Sequence, residues 1–298
     1  MRVSTLVDDY LLLWILASVL VGVLVPAVGV ITELSTLILA VMVGSVSLTL
    51  SLGEFREVDV PGLGSILLGH VAMPVVALAI ARALGLSPAL TAGFVLLGAV
   101  TPELVTPTMT KLAGGDTALA SIALVVIGFG SSLFIPAVVT VLLGGRVAVD
   151  GFAVVTQLLV AVVIPMILAI GIRARYTDPV ASREALYSSV SAVMVVLIIG
   201  GVTAENAALI RGNVDTLAVV GVGGLLLNAV GYALGWLSSV SSDRETRIAA
   251  ALSVGMRDFA IAAALVVAAG FPAAASLPAV VFGIVEMLSS AVLVRVFR

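Results

Sequence analysis

The sequence predicts an all-α integral membrane protein with about ten transmembrane helices in two inverted five-helix repeats, the fourth and ninth helices discontinuous. Three observations lead there. Of the 298 residues, 61% are hydrophobic and 10% charged, against roughly a quarter charged in a soluble domain, and the mean hydropathy is +1.31. The shortage of charge runs the whole length, which argues against a separate soluble domain. Two apolar runs about 150 residues apart are interrupted by polar, Pro- or Gly-bearing stretches, residues 101–107 and 253–258. Paired interruptions in two halves of a membrane protein point to a transporter binding site.

A spanning helix needs about 20 mostly apolar residues. Windows of that kind fall at residues 11–30, 34–52, 62–84, 88–116, 118–143, 152–172, 188–203, 216–237, 248–270 and 273–296. Short charged or Pro/Gly-marked segments separate them, among them Glu54-Phe55-Arg56-Glu57, Gly144-Gly145-Arg146, the arginine-rich stretch 173–183 and Asp243-Arg244-Glu245. The fourth window is broken at Thr101-Pro102-Glu103-Leu104-Val105-Thr106-Pro107, where each proline removes a backbone donor and disfavours helix just before it. The ninth is broken at Ser253-Val254-Gly255-Met256-Arg257-Asp258. The eighth carries Gly221, Gly223, Gly224, Gly231 and Gly235, which permit close helix approach.

An even number of spans puts both termini on one side. That side collects Arg2, Arg56, Lys111, Arg173, Arg175, Arg183, Arg244, Arg247, Arg295 and Arg298, against Arg82, Arg146 and Arg211 opposite. The positive-inside rule makes it cytoplasmic, so the expected location is the cytoplasmic (inner) membrane with both termini inside. Five spans on each side of roughly residue 150 make the second half enter inverted. The repeats are drawn as 1–148 and 149–298, within one membrane domain.

Net charge of −3 offers no basic surface for nucleic acid. Asp8 and Asp9 precede the first apolar run and no cleavage pattern follows, so no signal peptide is expected. With no Cys, one His and one Lys, a metal-dependent intramembrane protease lacks ligands and a Ser-Lys dyad would need Lys111 at a helix end, so an enzyme is not expected. No cofactor is expected beyond a coupling ion. The expected partners are the lipid bilayer and a small organic anion, and the expected state is a monomer.

Ionisable residues inside a bilayer are functional candidates because they persist only against partners or water. Arg257 and Asp258 come first: either Arg257 attracts an anion while Asp258 orients it or takes a proton, or the two pin the unwound segment. Glu103 faces Arg257 across the crossing or sits in a water-filled mouth. Thr106 and Thr108 offer hydroxyls at the start of the second half-helix, for an anion or simply as N-caps. Glu286 in the last span is a candidate for proton coupling. His70 is a titratable group or a packing residue, and Asn228 reads chiefly as a hydrogen-bonding link between helices. Met256 belongs to the same break. Lys111, Arg82 and Arg211 read as interfacial snorkellers.

In sequence, Ser47-Leu48-Thr49-Leu50 through Glu54-Phe55, then Leu227-Asn228-Ala229-Val230-Gly231-Tyr232-Ala233-Leu234-Gly235, then Arg244-Glu245-Thr246 and Val254-Gly255-Met256-Arg257-Asp258, the chain resembles the bile acid:sodium symporter family over nearly its full length. The resemblance implies a panel domain beside a core domain, the discontinuous fourth and ninth helices crossing in the core. It implies alternating access for an organic anion, often driven by sodium. Certain positions depart from the family. Its sodium-binding carboxylate falls on Ser253 and a glutamine on Arg257, and polar residues of its fifth span fall near Ala120 and Leu124, with Ser121 one place off. His70 lies one residue out of register with a glutamine of the third span. A degenerate sodium site would retain Ser121 and Ser253. A guanidinium in that space repels sodium and can stand in for its charge.

The reading is a secondary active transporter for a small organic anion, driven by sodium, by a proton or by no ion, without a family-type pair of sodium sites. An anion channel or passive facilitator with an arginine-lined constriction is the alternative from another class, because filters and broken helices share one chemistry.

Overall fold

The computed structural model describes residues 10–50, 59–144 and 151–298. The loop Glu54-Phe55-Arg56-Glu57, the end of the family-like stretch it overlaps, Arg2, Asp8, Asp9, Arg146 and the 148/149 repeat boundary lie outside the described residues. The described residues form helices: α1 (Leu11–Leu24), α2 (Ser35–Ser47), α3 (Val60–Ala83), α4 (Pro88–Ala99), α5 (Thr106–Leu112), α6 (Thr117–Val138), α7 (Gly151–Leu158), α8 (Ile164–Arg175), α9 (Thr177–Ala181), α10 (Glu184–Glu205), α11 (Ala207–Gly212), α12 (Val214–Ser238), α13 (Arg244–Gly255), α14 (Phe259–Ala268) and α15 (Leu277–Phe297).

Among the described residues, eight helical stretches are long and apolar enough to cross a membrane, and α1 and α4 are shorter apolar helices. The shortfall from the ten windows has local causes. The first run is cut at Val25, where Pro26 opens a 3-10 segment, Pro26–Leu34, that leads into α2. The fourth is cut at Val100, two residues before Pro102. Two helices pass instead through a π turn, after α6 at Val139–Leu143 and between α7 and α8 at Leu159–Val163.

The helices pack in two groups. α10 lies against α1 and α2, and α2 against α8. In the second group α12 lies against α3, α13 and α15, α3 against α4, and α13 against α5 and α6. The short helix α14 touches both, packing on α15 and α4 as well as on α2 and α10. It is buried along its length from Phe259 to Val266.

Aspartates start several helices by accepting from the orphan N–H groups of the first turn. Asp59 caps α3 through Gly62 N at 3.1 Å, Asp116 caps α6 through Leu119 N at 2.9 Å, and Asp243 caps α13 through Thr246 N at 2.8 Å. At one end of the second group arginines tie the elements together. Arg298 Nε donates to Leu112 O at 2.8 Å, Arg244 donates to Phe297 O, and the Arg247 guanidinium lies 4.0 Å over the Trp236 ring. Trp236 in turn stacks on Phe297.

Candidate functional site

Both interrupted runs are interrupted in the structure, over narrower segments than the sequence suggested. α4 turns extended at Val100 (φ −67, ψ 165). The chain becomes helical again at Thr106, with Pro107 in the second position, where its missing N–H leaves no bond unmade. α13 runs on through Ser253, Val254 and Gly255, so the second break comprises Met256, Arg257 and Asp258. The alanine-rich turn before it holds the helix to that point.

Small residues bring α12 onto this break. A Cβ on Gly255 would lie 2.1 Å from Tyr232 Cδ1, and one on Gly231 would lie 2.8 Å from Gly255 Cα. Asn228 completes the join: its Nδ2 donates to Gly255 O at 3.2 Å, and its Oδ1 accepts from Ser289 Oγ at 2.6 Å. Ser289 Oγ also lies 3.4 Å from Tyr232 OH. The sequence reading of Asn228 as an interhelical link is what the geometry contains, with Ser289, one turn after Glu286, as the partner it did not identify.

The two breaks meet. Asp258 N donates to Thr101 O at 3.0 Å, a backbone bond between one interruption and the other. Arg257, fully buried, sits at the same place. Its backbone N–H donates to Glu286 Oε2 at 2.8 Å, and its Nη1 lies 3.1 Å from Val100 O and 2.6 Å from His70 Nδ1. His70, expected one residue out of register, therefore reaches the crossing. Its ring lies 5.1 Å from that of Phe134.

Some expected partnerships do not form. Glu103 makes no ion pair with Arg257, whose Nη1 is bonded to Val100 O and lies against His70 Nδ1. Arg257 and Asp258 do not pair either: Asp258 turns into α14 and caps it, its Oδ1 accepting from Ile261 N at 2.7 Å. Thr106 is no side-chain cap for α5; its hydroxyl lies 3.9 Å from Met256 Sδ across the crossing. Thr108 is not at the crossing and lines a separate polar cavity.

Several buried polar atoms of this region have no hydrogen-bond partner: His70 Nε2, Thr101 Oγ1, Glu103 Oε2, Ser253 Oγ, Arg257 Nε and Nη2, and Asp258 Oδ2. A buried donor or acceptor left unmade costs about 1–3 kcal/mol, so such a concentration calls for a solute, an ion or water. Two cavities flank the first break. Glu103 and Val105 line one of about 50 Å³ together with Leu11, Met256, Phe259 and Glu286. Leu104 lines the other, of about 250 Å³, with Thr49, Thr108, Lys111, Thr117, Ser121 and Glu184. Arg257 lines neither.

The two serines expected of a degenerate sodium site, Ser121 and Ser253, are not bonded to one another. Val100 O, the free carbonyl at the end of α4 that a cation would seek, already accepts from a guanidinium. Ser121 Oγ donates back to Thr117 O at 2.9 Å. Among the described residues no group of three or more His, Asp or Glu is placed to hold a metal ion.

Comparison with known proteins points to membrane transport. The SBF-like CPA transporter family matches residues 63–298, which takes in both breaks and every helix from α4 on. An uncharacterized sodium-dependent transporter of Bacillus subtilis (strain 168), YocS, is 28% identical over 293 residues, covering 94% of this chain and 88% of that protein. These matches, together with several helices apolar enough to cross a membrane, mark a multi-pass membrane transport protein. The chain belongs to the SBF-like CPA transporter family, as a divergent relative of the bile acid:sodium symporters.

Proposed function

We propose that this protein is a secondary active transporter that carries a small organic anion across the cytoplasmic membrane by alternating access, the crossing of the two broken helices forming its pivot. The observation that carries the reading is the buried guanidinium of Arg257, bonded to the carbonyl end of α4 at 3.1 Å and to His70 at 2.6 Å, with Nε and Nη2 left as donors. A fixed positive charge at a membrane crossing favours an anion, and unmade donors are satisfied when the site opens to a solute. In this reading the second helix group moves against the α1, α2, α8 and α10 group, and the ten segments form two inverted halves of five, 1–148 and 149–298. Both termini lie in the cytoplasm, as the distribution of arginine supports, and a monomer suffices.

The Bacillus relative is named as sodium-dependent. Arg257 supplies a cationic charge of its own at the equivalent crossing, so in this chain a proton or no ion accompanies the substrate. Glu103 and Glu286, on one small cavity, are the groups available to a proton. Purified protein in liposomes tests the reading. Saturable uptake of an organic anion that accelerates when the opposite face is preloaded supports a carrier; conductance without exchange supports a channel and overturns it.

A further inference from the structure

Between α12 and α15 runs a groove of about 490 Å³, lined among the described residues by these two helices alone. Leu225 and Ala229 form one wall and Leu288, Val292 and Val296 the other, with Val292 62% and Val296 72% exposed. Asn228, Tyr232 and Ser289 make the floor. Their polar atoms serve the protein itself: Ser289 Oγ donates to Asn228 Oδ1 at 2.6 Å, and Asn228 Nδ2 donates to Gly255 O at 3.2 Å. What the groove presents outward is therefore a hydrocarbon surface. From Val285 to Val296 α15 rises about 16 Å at 1.5 Å per residue. That is the depth of one leaflet, half of a hydrocarbon core about 30 Å thick. At the Val296 end the surface changes character. Trp236, one turn beyond Tyr232, stacks on Phe297, and the Arg247 guanidinium lies 4.0 Å over the Trp236 ring. Arg244 donates to Phe297 O, Arg298 Nε donates to Leu112 O, and Arg295 immediately precedes Val296. These four arginines meet two acids over the same stretches, Asp243 and Glu245, and Asp243 is engaged as a helix cap. Trp and Arg gathered at one end of an apolar span mark the level of the headgroups.

We propose that this groove binds one anionic phospholipid, an acyl chain lying between α12 and α15 and the phosphate held by the arginines around Trp236 and Phe297. The groove is as deep as one leaflet and basic at one end only, which is the shape and charge of a single lipid. Basic pockets between helices at the membrane surface select anionic headgroups by charge, and the apolar groove fixes where the chain goes. The lipid bears on the crossing through one contact. Tyr232 packs on Gly255, where a Cβ would stand 2.1 Å from its Cδ1, and Gly255 is the last residue of α13 before the break. A bound chain braces α12 against α15 and so steadies the join that holds this end of α13. The site stands apart from the crossing, and its occupancy is independent of what the protein carries.

Native mass spectrometry of the detergent-purified full chain reads lipid retention, and thermal unfolding is followed alongside. Phosphatidylglycerol and phosphatidylcholine with the same acyl chains are the probes. Phosphatidylglycerol should be held as one adduct at least about fivefold more tightly than phosphatidylcholine, and it should raise the unfolding temperature saturably. Arg295→Gln should weaken phosphatidylglycerol about fivefold, the worth of one basic residue beside an anionic headgroup, and leave phosphatidylcholine unchanged. Ala229→Phe and Val292→Phe fill the groove from opposite walls at exposed positions, and each should abolish the adduct. Leu133→Phe, at an exposed site on α6, should leave it intact. Two plugs on different helices keep the test decisive when one of them fails to fold. Equal retention of the two lipids, or a phosphatidylglycerol advantage that survives a folded plug, overturns the lipid site. So does a dimer that the plugs dissociate, which would put a second copy of the chain in the groove.

Discussion

Asp258 N donates to the carbonyl of Thr101 at 3.0 Å, joining residues 157 positions apart through their backbones. Each lies where a helix has been interrupted, so the bond satisfies one group from each break. A bilayer interior offers no water for such groups, and unwound backbone survives there only when protein or a cavity supplies partners. Once this contact is made, Arg257 is held in the second break between Glu286, His70 and the end of α4.

Asp258 is first a helix cap. Its Oδ1 accepts from Ile261 N at 2.7 Å, and replacing an N-cap by Ala costs about 0.5–2 kcal/mol. Asp258→Ala should lower thermal stability in detergent by that order, and Asp258→Asn, which keeps a capping oxygen, by clearly less. Equal losses for the two variants would mean that the charge and not the cap matters.

Close packing of α12 on α13 depends on Gly235. A Cβ there would stand 2.2 Å from Ala250 O, a backbone atom that cannot step aside. Gly235→Ala should therefore destabilise by about 1–3 kcal/mol, the usual cost of overpacking. Gly64 in α3 has nothing within 4 Å of its Cβ position, so Gly64→Ala should be neutral or stabilise by up to about 1 kcal/mol. Thermal unfolding of the two variants side by side checks the contrast.

Asn228 ties α12 to both α13 and α15. Asn228→Leu removes the bond to Gly255 O and the one accepted from Ser289, which keeps Glu286 O at 3.1 Å as an acceptor. The expected loss is about 1–3 kcal/mol, with Ser289→Ala costing less because only one of the Asn228 bonds goes. A double-mutant cycle between the two positions measures their coupling.

Asp243, the exposed N-cap just before the apolar stretch Arg244–Ala268, gives a pH signature. Hydrogen bonds from Thr246 hold its carboxyl below the ordinary carboxylate range. A depressed folded-state value means that the stabilisation is fully present above the unfolded carboxylate range, about pH 4, and disappears as pH falls through the lower folded value. The stability advantage of wild type over Asp243→Ala should thus be constant from neutrality to about pH 5 and shrink on further acidification. An advantage that grew toward acid would contradict the sign.

Much of this was legible in the sequence because bilayer constraints are severe. Pro102 and Pro107 mark the first break by what proline cannot donate, and Arg257 marks the second by what hydrocarbon does not tolerate. The exact end of α13 was not legible, since Ser253, Val254 and Gly255 serve a helix or a turn equally well and packing against Gly231 and Tyr232 of α12 decides. Partner choice was not legible either. Glu103 and Glu286 are both lone carboxylates in apolar runs, and only the fold gives the Arg257 N–H to Glu286.

The account rests on the guanidinium of Arg257 acting as a built-in cation at the crossing. The most direct measurement is the rate of organic-anion uptake into liposomes with external sodium present and with sodium replaced by choline at fixed pH and membrane potential. The account predicts equal initial rates for the wild type and the appearance of sodium stimulation in Arg257→Gln. Uptake by the wild type that stops without sodium, with Arg257→Gln behaving identically, would contradict it.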